Sequence, residues 1–406
     1  MLAFDDAVAL VTQQVEPVAS ERVGIFEARD RTLREDITAP IDLPAFDHSA
    51  MDGYALSTAD LGPSPHDVEV VGESCAGPQP AGGPVLQAGT LMRIFTGAVL
   101  PQGADAVIMQ EDVTRLAERV RFERAPVAGA NVRRRGEDLS AGTVALTSGS
   151  HLHAGHIALA ATLGRAALTV SRLPLVTILG TGDELRSPGE AREPGTIVES
   201  NGLFVKAEAE RVGARARLAP FVRDDQTALG RAIDEALSGT DLLVTIGGVS
   251  VGDHDLVRPA LERAGVRIEF YKVSMKPGKP ITFGRRGKTL VLGLPGNPAS
   301  ASLTFVLFGL PLIKALLGRK RVASRANLTP VRVPTGTLRR KPGRTEFARA
   351  RFDVDGASPV AALLGNQASG AVTSFANAAC LVRIEAEIEL IRDGDCLPVL
   401  PLFTDD

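Results

Sequence analysis

The sequence predicts a multidomain protein of the α/β plus β class, on three observations. The chain has 406 residues, more than one core encloses at roughly 100–200 residues per domain. Between Pro174 and about Arg321, strand-like and helix-like runs alternate, as in a mostly parallel sheet with crossover helices. Before and after that stretch, short β-type runs separated by Gly and Pro take over.

In chain order, Ala3 to Val18 and His156 to Leu163 carry helical apolar spacing. Between them, from about Ser49 to Gly149, runs such as LMRIF and DAVIMQ punctuated by Gly and Pro predict an inserted β-rich domain. Val176–Leu179 is a short strand ending in Gly-Thr-Gly. Asn201 can cap a helix running to Val212, and Gly213 can end it. A strand at Ala214–Pro220, a helix from about Asp225 to Leu237 and a strand at Leu242–Ile246 follow. Then come a helix from Asp255 to Ala264 closed by Gly265 and a strand at Val266–Val273. Ile281–Phe283 and Thr289–Leu292 flank Gly-Arg-Arg-Gly, a hairpin signal. A long helix starts near Pro298. Its apolar part, Leu303 to Leu317, contains Pro311 and Lys314 and falls short of the ~20 residues that cross a bilayer, so it reads as buried. After about Arg321 the helices stop. Thr329–Val333, Glu346–Phe352 and Cys380–Ile391 predict a C-terminal β domain of roughly 85 residues. The expected division is 1–47 with 141–173 as a discontinuous mixed domain, 48–140 as the β-rich insert, 174–321 as the α/β domain and 322–406 as the β domain.

Composition excludes several functions. The net charge is −3, so no global basic field holds nucleic acid or an anionic membrane, and an anion site must be built locally. There is no Trp and only two Tyr, which leaves little to stack single-stranded bases on. Three separated cysteines, Cys75, Cys380 and Cys396, fit no metal spacing and no disulfide framework, which points to a reducing compartment, the cytoplasm. Asp5 and Asp6 stand where a signal peptide carries basic residues.

The chemistry concentrates at predicted strand ends, where open α/β sheets bind ligands. In TIGGVSVGDHD, Gly247, Gly248 and Gly252 let the backbone approach a ligand and Ser250 adds a hydroxyl. A helix start follows, which favours phosphate or another oxyanion. Asp253 and Asp255 beside an anion suggest a divalent cation between them, although either could simply cap the helix. Asp253 stands where a P-loop needs Lys. In YKVSMKPGKPITFG, Lys272, Lys276 and Lys279 crowd around stiffening prolines, suited either to a polyanion or to a solvated basic turn. In GLPGNPASA, Pro295 and Pro298 preorganise a loop at a helix start. GTGDEL and FVRDDQ add Asp183, Glu184, Asp224 and Asp225 at further strand ends. In the β-rich stretch, PAFDHSAMDGYAL crowds Asp47, His48, Ser49, Asp52 and Tyr54 around Gly53, and Thr96 sits at a strand end. Arg133 to Arg135 read as a solvated face. His151, His153 and His156 read as an exposed helix start rather than a metal site.

These motifs, with RRRGEDL, ESNG and GLPGNPASASLTF, occur in one order that resembles the molybdopterin molybdenumtransferase family, MoeA and the gephyrin E-domain, over nearly the whole chain. The resemblance implies a MogA-like three-layer α/β domain, an inserted β-rich domain, an elongated mixed N-terminal domain and a C-terminal β-barrel-like domain, in a homodimer. It implies insertion of molybdate into adenylylated molybdopterin with release of AMP, assisted by Mg²⁺. By position, it implies catalytic roles for Asp52, Glu184 and Asp255, the latter two as metal holders. It implies substrate contacts for Thr96, Asp224, Gly247, Gly248, Ser250, Gly252, Lys272, Lys276, Lys279, Pro295, Pro298, Arg349 and Ser369, with Asp52 and Thr96 facing the partner's pocket. MogA-type adenylyltransferases and molybdoenzyme chaperones are the implied protein partners, with no nucleic acid or membrane. His48 stands where the family more often has Asn. A MogA-type adenylyltransferase and a gephyrin-like peptide-binding scaffold are the alternatives.

Overall fold

The computed structural model describes the chain except residues 14, 80, 192, 249–255, 321–328, 335–337, 356–357 and 403–406, and except the side chains of 355 and 358. Contacts divide it into two compact units, residues 1–35, 148–157 and 166–406 in the first and 36–147 with 158–165 in the second.

The first unit is organised by a six-stranded sheet. Arg215–Leu218, Leu175–Gly180, Leu242–Ile246 and Thr289–Leu294 lie side by side and parallel. Pro280–Arg286 and then Arg267–Lys272 extend the sheet antiparallel. Leu242–Ile246 is buried at every position, the pattern of a strand covered on both faces. On one face, Leu229, Ile233 and Leu237 of the helix Gln226–Leu237 pack with Val257 and Leu261 of Val257–Arg263. On the other, the helix Asn201–Arg211 and the long apolar helix pack on Val176, Ile178, Val244 and Leu292. The result is the expected three-layer α/β domain.

The local signals act as their chemistry requires. The Asp225 carboxylate accepts the Ala228 N–H at 2.7 Å and starts its helix. Gly213 and Gly265, at φ of +96° and +81°, follow helix ends. The hairpin turn sits one step later than Gly-Arg-Arg-Gly suggests: Arg285 and Arg286 are still paired with Leu290 and Thr289, and Gly287-Lys288 make the reversal. The first helix is shorter than its periodicity predicts, Phe4–Thr12: at Gln13 the backbone turns extended, with ψ 144°, after its N–H has closed the last turn on Ala9 O. Among the described residues, Pro298–Leu316 is the only helix long and apolar enough to span a membrane, and 89% of its apolar 18-residue stretch is buried in the protein. It widens to a π turn at Phe305–Gly309, where the Leu310 N–H reaches Phe305 O. Pro311, which has no N–H to give, follows directly.

In the C-terminal region, Thr345–Asp355, Ser358–Leu363, Thr329–Arg332, Cys396–Pro401 and Cys380–Ile384 pair in sequence, and the last pairs back to the first. This closed five-stranded barrel has no free edge within the ring. One helix does occur there, Val372–Ala376, where the sequence suggested none; five residues are too few to show a helical period. Arg383, 4% exposed, ties the barrel to the first helix through two bonds to the Asp5 carboxylate at 2.8 and 2.7 Å.

The second unit contains a six-stranded, mostly antiparallel sheet. Gly53–Leu56 lies inside it, buried throughout and flanked by Leu91–Ile94 and Ala106–Met109. A Cβ on Gly53 would lie 2.0 Å from the Ile108 carbonyl oxygen, so only glycine allows this pairing. Gly53→Ala is therefore expected to cost about 1–3 kcal/mol through overpacking. Calorimetry of the variant should show a lowered melting temperature, and an unchanged one would mean the strands part there freely.

Candidate active site

Three parallel strands end at one level, with Gly180 opposite Ile246 and Ile246 opposite Leu294. Beyond them the ladder continues one step into the loops: Thr181 N–H donates to Ile246 O at 3.0 Å, and Gly247 N–H to Leu294 O at 3.1 Å. Gly247 sits at φ +90°, and a Cβ there would lie 2.6 Å from the Thr181 carbonyl oxygen. Glycine is thus required for the first two loops to touch. The Gly247 N–H is already engaged, so this residue shapes the pocket rather than donating to a ligand.

The loops enclose a cavity of about 270 Å³. Of the residues expected at the site, Glu184, Asp224, Gly247, Gly248, Pro295 and Pro298 line it together. Thr181 and Asn201 also line it, and each joins two elements. Thr181 Oγ1 donates to Asp224 Oδ1 at 3.0 Å, and Asn201 Nδ2 to Gly296 O at 2.8 Å. Glu199 adds a third carboxylate to the wall and accepts the Gly202 N–H at 2.6 Å through Oε1. Sequence reasoning missed Thr181, Glu199 and Asn201 as site residues. Their signal was present in Gly-Thr-Gly and ESNG, but the first was read as a strand end and Asn201 as a helix cap.

The lysines stand elsewhere. Of the YKVSMKPGKPITFG stretch only Pro280 lines the cavity. The Lys272 ammonium lies 4.9 Å from the Tyr271 ring centroid. Lys276 Nζ pairs with Glu346 Oε1 at 3.0 Å, and the Lys279 carbonyl accepts the Val273 N–H. The described lining therefore contains three carboxylates and no Lys, Arg or His. Ser250, Gly252 and Asp255 lie outside the described residues. At the third loop Pro298 opens the long helix with Asn297 as its cap, and the Ala299 N–H is taken by Ser369 O at 2.9 Å. Ser369 thus meets this helix start through its main chain. Arg349 is fully buried, and burial pushes its guanidinium below its usual pKa.

Family models match the chain in three consecutive stretches: "MoeA N-terminal region (domain I and II)" over residues 2–164, "Probable molybdopterin binding domain" over 177–315 and "MoeA C-terminal region (domain IV)" over 335–402. A molybdopterin molybdenumtransferase from Haemophilus influenzae is 35% identical over 99% of this chain and 98% of its own. The chain belongs to the molybdopterin molybdenumtransferase family. A second relative of that name, from Bacillus subtilis, is 34% identical over 98% of this chain and 94% of its own. A crystal structure of a molybdopterin biosynthesis MoeA protein from Pyrococcus horikoshii matches with a TM-score of 0.84 at 25% identity, covering 99% of this chain and all of that one. The cavity lies wholly within the stretch matched as molybdopterin-binding.

In the second unit, Asp52 and Thr96 form a closed local arrangement. Asp52 Oδ1 accepts both the Thr96 N–H and the Thr96 hydroxyl, each at 2.8 Å. The Thr96 N–H, then its hydroxyl, and then the Arg93 charge hold the Asp52 carboxyl below its ordinary pKa. A lowered folded-state value stabilises the fold above the unfolded pKa of about 3.9, and the contribution is lost as pH falls through the folded value. Thr96→Val removes the hydroxyl alone, so Asp52 should titrate at higher pH than in the wild type and the acid limb of stability should shift upward. Carboxyl carbon NMR titration reads this directly, and an unshifted Asp52 would refute it.

Proposed function

We infer that this chain inserts molybdate into adenylylated molybdopterin, releasing AMP and yielding molybdenum cofactor. The observation that carries the reading is relatedness to named transferases across 99% of the chain, with a loop-built cavity inside the molybdopterin-binding stretch. A MogA-type adenylyltransferase or a peptide-binding scaffold is not favoured by relatives so named.

Mg²⁺ suits the donors present. Glu184, Glu199 and Asp224 offer hard oxygen ligands in one wall. Among the described residues no three such groups converge into a ready-made metal cluster. Mg²⁺ is commonly held by one or two carboxylates while substrate phosphates and water complete its shell. Glu184, with Asp255, would hold it. When bound, it supplies polarisation of the phosphoanhydride-like bond.

The chain's own residues supply position and charge. In this reading Lys272, Lys276, Lys279 and Arg349, which stand outside the described lining of the cavity, offset the repulsion among molybdate, dithiolene and phosphate. Pro295 and Pro298 keep the third loop stiff, which lowers the ordering cost of binding. Asp52, whose carboxyl Thr96 holds below its ordinary pKa, serves in proton handling or in positioning the metal. The reading includes a cytoplasmic homodimer in which Asp52 and Thr96 serve the second copy, with MogA-type enzymes and molybdoenzyme chaperones as encounter partners.

The test is AMP formation from adenylylated molybdopterin with Mg²⁺, with and without molybdate. Molybdate-dependent AMP is expected from the wild type and abolished by chelation of the metal. Asp52→Ala should keep the fold and substrate binding while losing AMP release, and normal turnover in that variant would reject the role given to Asp52.

A further inference from the structure

Arg349 sits on the barrel strand Thr345–Asp355 where one neighbour ends. Leu381 pairs with it on one side, while on the other the strand Ser358–Leu363 ends at Leu363 opposite Ala350, and the Leu364 N–H still donates to Arg349 O at 2.9 Å. The side-chain amide of Gln367 takes the next place along. Its Oε1 accepts the Arg349 N–H at 2.9 Å and the Arg349 Nε–H at 3.2 Å. Its Nε2 donates to Arg349 O at 2.8 Å and to Leu364 O at 2.7 Å. Two donors face the oxygen and two acceptors face the nitrogen, so the amide is fully used. A carboxylate would set an oxygen against two carbonyls, and a thioether would make none of these bonds.

The rest of the guanidinium is nearly bare. Nη1 donates to Ala368 O at 3.1 Å, and Nη2, although buried, has no partner among the described residues. No carboxylate among them pairs with this side chain, which is 0% exposed. A buried cation without a counter-charge is expensive, so an open Nη2 marks a place for an anion. The same segment reaches a neighbour of the cavity wall: Ser369, next to Ala368, accepts the Ala299 N–H, and Ala299 follows Asn297 and Pro298 of the lining.

The geometry points to Gln367 as a positioning residue that fixes the Arg349 guanidinium, with its buried Nη2 left unpartnered for the oxyanion substrate. This rests on the reading of Arg349 as an oxyanion holder given above. Gln367 itself does not touch the substrate and acts through Arg349.

The experiment measures molybdate binding by titration calorimetry on the full chain, and the KM for molybdate in the AMP-release assay. In a folded Gln367→Met protein, molybdate affinity should fall and its KM rise roughly ten-fold, the scale of one hydrogen bond to a charged group. The KM for adenylylated molybdopterin should stay near the wild-type value. Gln367→Glu should weaken molybdate at least as much, because its carboxylate supplies the missing counter-charge from within. In an Arg349→Met background, adding Gln367→Met should change nothing further. Wild-type molybdate binding in both Gln367 variants, or a loss that adds to that of Arg349→Met, overturns the proposal. So does loss of the folded state in both variants by circular dichroism, which would make the amide purely structural. An active wild type whose Arg349→Met variant binds molybdate normally overturns the proposal alone. A wild type that neither binds molybdate nor releases AMP overturns the functional reading along with it.

Discussion

The in-register parallel pairing of Leu175–Gly180, Leu242–Ile246 and Thr289–Leu294 sets where the rest of the site must stand. Each strand is buried along nearly its whole length, so a slip of one residue would turn an entire apolar set toward the wrong layer. With the register pinned, three loops leave the sheet at one edge. The bonds from Thr181 N–H to Ile246 O and from Gly247 N–H to Leu294 O carry the ladder into them. The loops are therefore anchored to the core before any ligand arrives, and Asn201 closes the ring by bonding to Gly296.

Arg383, Arg340 and Arg349 have side chains held in the interior in two different ways. Arg383 has Asp5 and Glu385 as counter-charges, and Arg340 pairs with Glu346 while donating to three carbonyls. These cations complete the protein, joining barrel to helix and barrel to loop. Arg349 has an amide and a carbonyl but no carboxylate among the described residues. Burial is tolerable for the first kind because attraction offsets desolvation, and for the second only if charge arrives from outside. The Lys276–Glu346–Arg340 chain shows a third arrangement, in which one carboxylate steadies an exposed lysine at 53% exposure and a buried arginine at 7%.

Much of this was legible in the sequence. The strand Leu242–Ile246 and the helix capped by Asp225 show clear local signatures and form where read. Glu184, Asp224, Gly247, Gly248, Pro295 and Pro298, scattered over more than a hundred positions, do meet in one wall. The misses share a cause. The helix after Ala3 stops at Thr12, the hairpin turn moves to Gly287-Lys288, and the short helix Val372–Ala376 goes unseen. In each, the boundary depends on which backbone groups find partners, and periodicity does not carry that information.

The sequence by itself determined the class of each segment, the stiff Gly- and Pro-rich loops and the residue types able to handle anions and metal. These follow from side-chain sterics and the period of apolar positions, which act over a few residues. Only the tertiary structure decided which of those groups share a cavity. It put three carboxylates in the wall, turned Lys276 toward Glu346, used the Ser369 carbonyl to cap Ala299, and left one arginine buried with an open Nη2. Such outcomes depend on long-range pairing and on desolvation, quantities that exist only once distant segments have closed around the same charge.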